Sequence, residues 1–502
     1  MTSATPAGRT EGSSAGKTLL LTSAATFMAF LDTTIVNVAF PTLHEDFPEE
    51  SLTNLTWVVT SYGILFAALL TPAGRFADVL GRRKLFLGSL ALFTAASLLC
   101  AVAPNVELLI AARAIQGIGA AGMIPAALGL VLAETPAHKR AEAIGIWGAA
   151  GSMAAAAGPS IGGLLVSEIS WRSVFILNVP IGLAVIAAAL RLPNRPATDS
   201  KLPDLIGTAT VTLGLAGIVV GLTKGGDWGW DAGQTWAWIG AGVVFVAYSL
   251  LRSRKHSAPA VETELWRTPM FAAANLTSFL LGAGLFVWFL SGPLYLTTIW
   301  HYSVLKAGLA VTPGAVLSAV AAIAVGRRVP PEKQRPVVLV GTLVFLGLSI
   351  WAYQGLGAEP EFWSFWLPYG AVGGAVLGAA LTSVTTAASI SVHPLKFATG
   401  TGMNTTARQF GGSVGVAAMA AVFAANDLGK PQAYLDAFLL AGIFIAAAAV
   451  PAFWLFTKSS MAQIAETQRQ IQAYLKAQAE AAAKQAEAAG PSAGGAAAVD
   501  RA

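Results

Sequence analysis

Apolar runs of about twenty residues alternate along this chain with short loops that hold nearly all of its Arg, Lys, Asp and Glu. A helix rises about 1.5 Å per residue, and about twenty residues cross the hydrocarbon core of a bilayer, so each run predicts one spanning helix. Fourteen runs are found, at 17–40, 54–73, 85–103, 107–132, 142–166, 172–191, 204–223, 236–251, 270–299, 307–326, 336–354, 362–390, 399–424 and 433–457. The expected fold class is therefore an all-α membrane protein. Runs 7 and 8 are flanked by polar, Pro-containing stretches at 193–203 and 252–269, and setting them aside leaves six runs on either side. That division predicts an N-terminal six-helix bundle over 17–192, a linker with helices 7 and 8 over 193–269, and a C-terminal six-helix bundle over 270–457. Residues 1–16 read as a disordered N-terminus, and 458–502 as an Ala-rich tail whose first part suits a solvated helix.

Composition supports a lipid environment, because 55% of the 502 residues are hydrophobic and only 11% are charged, with a mean hydropathy of +0.64. A soluble fold of this size would lack the charge to cover its surface. The net charge of +5 could point to nucleic acid, but the basic residues sit in short clusters between apolar runs, where they set orientation instead. Eighteen Lys and Arg fall in loops on the side of the termini, against four (Arg172, Lys224, Lys306 and Lys430) on the other. Both termini are therefore expected in the cytoplasm. Residues 1–16 lack the charged start, apolar core and cleavage site of a secretory signal. A single cysteine, Cys100, excludes a disulfide framework and a cysteine-built metal site.

Candidate chemistry is sparse. Asp32 is the one acid well inside any run, about 13 Å from the outer end of the first. An ionised side chain at that depth must face a partner or a cavity, and intramembrane acids commonly carry protons. Arg113 lies about 9 Å into the fourth run with Gln116 one turn further, so both reach the acid if the two helices are neighbours. Arg408 is a second cation, about 12 Å into run 13, and the later runs offer it no acid. It either snorkels or meets Asp78 across the two halves. In the loop after run 2, Gly74 and Gly81 allow a tight turn, Arg82, Arg83 and Lys84 suit anionic headgroups, and Asp78 can cap or pair with a helix end. Gly158, Pro159, Gly162 and Gly163 give helix 5 a kink and a thin face. Gly117, Gly119 and Gly122 spell a dinucleotide fingerprint, but inside an apolar run they read as helix packing. Trp57, Tyr62, Trp288 and Tyr295, with Asn37, are candidates to line a broad substrate cavity. No nucleophile, base or metal-ligand cluster shares one membrane depth, which argues against an enzyme.

Several of these stretches occur together in the order of a known family. Leu31-Asp32-Thr33-Thr34-Ile35-Val36-Asn37-Val38-Ala39-Phe40-Pro41, the loop from Gly74 to Lys84, Arg113-Ala114-Ile115-Gln116-Gly117, and Gly158-Pro159-Ser160-Ile161-Gly162-Gly163 resemble the major facilitator superfamily. The segment Trp171 to Pro180 and Arg408-Gln409-Phe410-Gly411-Gly412 are similar to its fourteen-helix drug:proton antiporter branch. Phe76 and Val79 depart from the family's more usual Leu and Arg. The resemblance implies two six-helix bundles around a central cavity, with two extra helices, alternating between inward- and outward-open states. It implies a loop that latches the halves, and a helix-5 pattern that marks antiporters. It further implies export of lipophilic drug-like or antibiotic molecules across a bacterial cytoplasmic membrane, driven by the proton gradient without a bound cofactor, by a functional monomer. An importer of a small metabolite on the same fold is the alternative.

The loop charges generate a direct test: tags at both termini and in the loop containing Lys255 should be shielded from protease added to intact cells. Cleavage at either terminus from outside would break the fourteen-span topology.

Overall fold

The computed structural model describes residues 8–50, 52–193, 201–462 and 465–466, and among these the regular structure is helical throughout. The α-helices run α1 Gly8–Val38, α2 Phe40–Asp46, α3 Leu52–Leu80, α4 Arg82–Ala101, α5 Val106–Glu134, α6 Arg140–Glu168, α7 Ser173–Ile176 and α8 Asn178–Ala189. They continue as α9 Leu205–Trp228, α10 Gly233–Ser253, α11 Pro269–Thr298, α12 Val304–Arg328, α13 Arg335–Gly355, α14 Leu367–Ile390, α15 Phe397–Ala424, α16 Pro431–Ala447 and α17 Ala449–Ala452. Local signals mark several boundaries. The Asn105 side chain caps α5 by accepting from Leu108 N at 2.9 Å, and Ser303 caps α12 by accepting from Lys306 N at 3.3 Å. Gly81, at φ 100°, supplies the left-handed turn that separates α3 from α4.

Among the described residues, eleven helices are long and apolar enough to cross a membrane. α6, α15 and the α7–α8 pair fall outside that set although each coincides with an expected span. The reason is visible in α15, whose first ten residues, Phe397 to Thr406, are all buried against other helices, so hydrophobicity toward lipid is not demanded of them. Three expectations about boundaries are corrected. Residues 8–16 belong to α1 and are not disordered; the sixth expected helix is broken at Leu177; and α9 runs to Trp228, five residues beyond the expected 223. From residue 467 the tail lies outside the described residues.

The chain divides into a compact unit ending at Phe456 and a second unit from Thr457, where the Thr457 hydroxyl accepts from Ser460 N at 3.2 Å. Within the first unit, α3 and α4 pack on α5, α1 packs on α6 and α5, and α8 covers α4. A second group forms around α11, which packs on α15 and α16, with α12 on α14 and α13 on α14 and α16. The hairpin of α9 and α10 attaches to the outside through α9, which leans on α3 and α15. Arg252 donates a hydrogen bond to Asp204 and holds its carboxyl below the usual carboxylate range, tying the two ends of that hairpin together.

The two groups meet chiefly along α6–α12 and α3–α15, where glycines allow the backbones to touch. A Cβ at Gly74 would stand 2.4 Å from Ala398 O, one at Gly145 2.5 Å from Ala322 O, and one at Gly326 2.4 Å from Ala141 O. Gly74 therefore serves close approach within α3 and not the turn expected of it. Gly326, near the end of α12, makes the matching contact on the other side.

The packing predicts a contrast between two glycine substitutions. In Gly411→Ala the new methyl would lie 1.8 Å from Phe279 O, inside the second group, and overpacking of this kind costs about 1–3 kcal/mol, so thermal unfolding in detergent should shift down by several degrees. Gly74→Ala strains only the contact between groups and should impair transport with a smaller change in melting temperature; equal melting shifts would refute the distinction.

Candidate functional site

Asp32 on α1 is fully buried, and α1 and α5 are neighbours, so the depths counted along the two helices translate into contact. Arg113 Nη1 donates to Asp32 Oδ2 at 2.5 Å, and Gln116 Nε2 donates to Asp32 Oδ1 at 2.9 Å. Arg113 Nη1 also reaches Gln116 Oε1 at 2.7 Å, and its Nε donates to Val58 O of α3 at 2.9 Å. The guanidinium lies 4.3 Å from the centre of the Tyr62 ring, whose hydroxyl donates to Ala29 O at 3.2 Å. A third donor to the acid is Asn178 Nδ2, 3.1 Å from Asp32 Oδ1 and from Ser97 Oγ. Asn178 opens α8 just past the break at Leu177, which turns its amide inward. Sequence reasoning quoted Asn178 within a similar stretch and gave it no role; an amide just after a helix break, in an otherwise apolar run, was the available signal. The cluster thus joins α1, α3, α4, α5 and α8 around one carboxylate, and its donor set matches the deprotonated acid.

A second set of polar contacts closes the end of the bundle nearest the termini of α3 and α15. Asp78 near the end of α3 accepts from Thr399 N and Thr399 Oγ1, both at 2.8 Å, and from Ala398 N at 3.4 Å. These are first-turn groups of α15, so Asp78 caps a helix of the other group, where the helix dipole also favours an anion. Arg82 donates to Asp78 Oδ1 at 2.8 Å and to Pro394 O at 2.7 Å, while Arg83 donates to the carbonyls of Ala189 and Leu190. Both guanidiniums are held by protein oxygens, which corrects their expected role as headgroup anchors. Glu262, in the segment after α10, was missed from sequence; it is buried and pairs with Arg75 at 3.0 Å and Lys396 at 2.9 Å. Arg327 pairs with Glu142 at 2.7 Å on the α6–α12 side. The seal extends inward to Thr71, which donates to Thr406 at 2.8 Å.

The remaining candidates separate. A Cβ at Gly158 would lie 2.0 Å from Thr34 Oγ1, so α6 needs glycine there to pass α1; Gly162 is buried, and Gly163 faces open space. The side chains of Pro159 and Asn37 lie outside the described residues. Gly117 and Gly119 are packing positions, their Cβ sites 2.6 Å from Tyr62 O and 2.7 Å from Phe93 N. Of the aromatic candidates, Tyr62 is buried under Arg113. Tyr295 lines no open space: it is fully buried among Trp300, Trp366, Tyr434 and Phe438. Trp57 borders a cavity of about 370 Å³ between α3, α9 and α10, and Trp288 is half-buried against Phe345 and Tyr369. The expected alternative of an Arg408–Asp78 contact is not made, because Asp78 is occupied by Arg82 and the start of α15.

Residues 22–416 match the family model described as Major Facilitator Superfamily. The chain belongs to the major facilitator superfamily. It is accordingly a multi-pass membrane transporter and not an enzyme. It is similar to the methylenomycin A resistance protein of Streptomyces coelicolor, 33% identical over 453 residues that make up 88% of this chain and 94% of the relative. It is also similar to the cephamycin export protein CmcT of Amycolatopsis lactamdurans, 34% identical over 467 residues, with 89% and 94% covered. Among solved structures the human organic anion transporter MFSD10 shares the fold at a TM-score of 0.62 and 15% identity, over 87% of this chain and 99% of that one. For this facilitator the Asp78 geometry predicts that Asp78→Ala, by uncapping α15, removes about 0.5–2 kcal/mol from the closed end. Transport in vesicles should fall severalfold while substrate still binds the purified protein; unchanged transport at normal expression would leave Asp78 as an orientation anchor only.

Proposed function

We propose that the protein is a proton-driven antiporter of the fourteen-helix branch that exports drug-like or antibiotic molecules from the cytoplasm and confers resistance to them. The observation that carries the proton step is the buried Asp32–Arg113 pair, in which a single acid ties together five helices. The names of the curated relatives, an antibiotic resistance protein and an antibiotic export protein, support the direction and the kind of cargo. The reading places the protein in a bacterial cytoplasmic membrane with both termini inside, acting as a monomer, with two six-helix bundles and α9–α10 as the added pair.

In that orientation the sealed end is cytoplasmic, and the conformation is outward-facing. A proton entering from outside would neutralise Asp32, and its bonds to Arg113, Gln116 and Asn178 would weaken together because all three are donors. Loosening α1 against α5 and α8 would favour release of the Asp78–Thr399 cap and opening inward. There the proton leaves, substrate binds, and the re-formed pair drives the return. With one such carboxylate, at most one proton per cycle passes through this site.

The test begins with a drug-susceptibility panel on a sensitised host expressing the chain, which identifies a substrate. Asp32→Asn keeps the shape and cannot exchange a proton, so it should abolish accumulation of that substrate in everted vesicles driven by a pH gradient. Substrate-induced proton release from purified protein should disappear with it. Release undiminished in Asp32→Asn would place the coupling group elsewhere, and gradient-driven movement in the opposite direction would identify an importer.

A further inference from the structure

The antiport reading leaves one intramembrane charge unused. Arg408 is half-buried midway along α15, yet among the described residues it makes no hydrogen bond and no ion pair. The three fully buried cations in the described helices are each neutralised: Arg113 by Asp32, Arg75 by Glu262, and Lys224 by Asp227 at 2.9 Å. In α11 to α16 the one helical acid is Asp436, in the second turn of α16, where it accepts from Gln432 at 2.8 Å. Among the described residues nothing answers the charge of Arg408.

Its position says what could. α15 is wholly buried from Phe397 to Thr406, the stretch sealed against α3 by the Asp78 cap, Gly74 and the Thr71–Thr406 hydrogen bond. From Ala407 to Phe410 it becomes half-buried. Arg408, two residues or about 3 Å above Thr406, thus sits where the full burial of α15 ends, just beyond the seal. The backbone of this turn is fixed, because Gly282 of α11 passes so close that a Cβ there would meet Arg408 O at 2.1 Å. A half-buried guanidinium carried on a fixed backbone turn, with its own partner missing, is a site for an anion, and its planar fork suits a carboxylate.

We propose that Arg408 is the substrate's charge-recognition residue, and that the preferred cargo is an organic acid whose carboxylate pairs with it. This rests on the export reading and narrows it to a chemical class. Because Asp32 belongs to the first group and Arg408 to the second, cargo held at Arg408 would lie across the two groups from the proton site, leaving the carboxylate of Asp32 free to exchange its proton.

Two dyes with one xanthene core test the idea: rhodamine 110, a free carboxylate, and rhodamine 123, its methyl ester. Binding to the purified full-length protein, followed by fluorescence anisotropy, should favour the acid by about tenfold, the size of one charge-assisted contact. Arg408→Gln should bring the ratio to about one by weakening the acid alone, and Arg408→Lys should restore part of it. Equal binding of the two dyes by the wild type, or an unchanged ratio in Arg408→Gln, would overturn the proposal. So would equal loss of both dyes in the Gln and Lys variants with a monodisperse protein, since that is the behaviour of a scaffold residue. Gradient-driven dye export in vesicles is a separate measurement: its absence speaks against antiport, whereas the binding ratio speaks to Arg408.

Discussion

A carboxylate within the hydrocarbon layer has no water to solvate it, and the arrangement of this protein's first helices follows from that constraint. Asp32 is tolerable only because Arg113, Gln116 and Asn178 supply the hydrogen bonds that water would give, and they come from α5 and α8. Removing one partner of a buried ion pair typically costs about 3–5 kcal/mol, far more than an exposed pair is worth. Any event that changes the charge of Asp32 therefore changes which helix contacts are favourable. That is the property a coupling site requires.

The same constraint, read at the other polar cluster, explains how two groups of helices can adhere and separate. Their interface is made of glycines that let α3 touch α15 and α6 touch α12, backed by Asp78, Glu262 and Glu142, each reaching across to the other side's donors. Backbone contacts and end-on hydrogen bonds are short-ranged, so they are lost together when the helices part. Asp78 is the most economical of these links, since one carboxylate answers two backbone amides and a hydroxyl at the start of α15. The pattern is nearly symmetric: Gly74 against Ala398 on one side is matched by Gly326 against Ala141 on the other. The charges differ, because the second loop has Arg327 paired with Glu142 in place of an acid capping a helix.

The chain by itself determined its membrane character, its helices and its one intramembrane acid, because hydrophobic length and the cost of a charge in lipid act locally and leave a mark in composition. The same local physics placed Asp32, Arg113 and Gln116 at matching depths, since rise per residue is all that depth requires. Tertiary structure alone decided the rest. Asn178 and Glu262 became partners only when distant segments met, and Arg82 and Arg83 turned to backbone carbonyls that no loop sequence advertises. Tyr295 shows the limit: an aromatic that looks suited to a cavity is packed shut among Trp300, Trp366, Tyr434 and Phe438. Which face of a helix meets a neighbour depends on rotation and crossing, set by the sum of many small contacts along its length, and that sum exists only in the folded bundle.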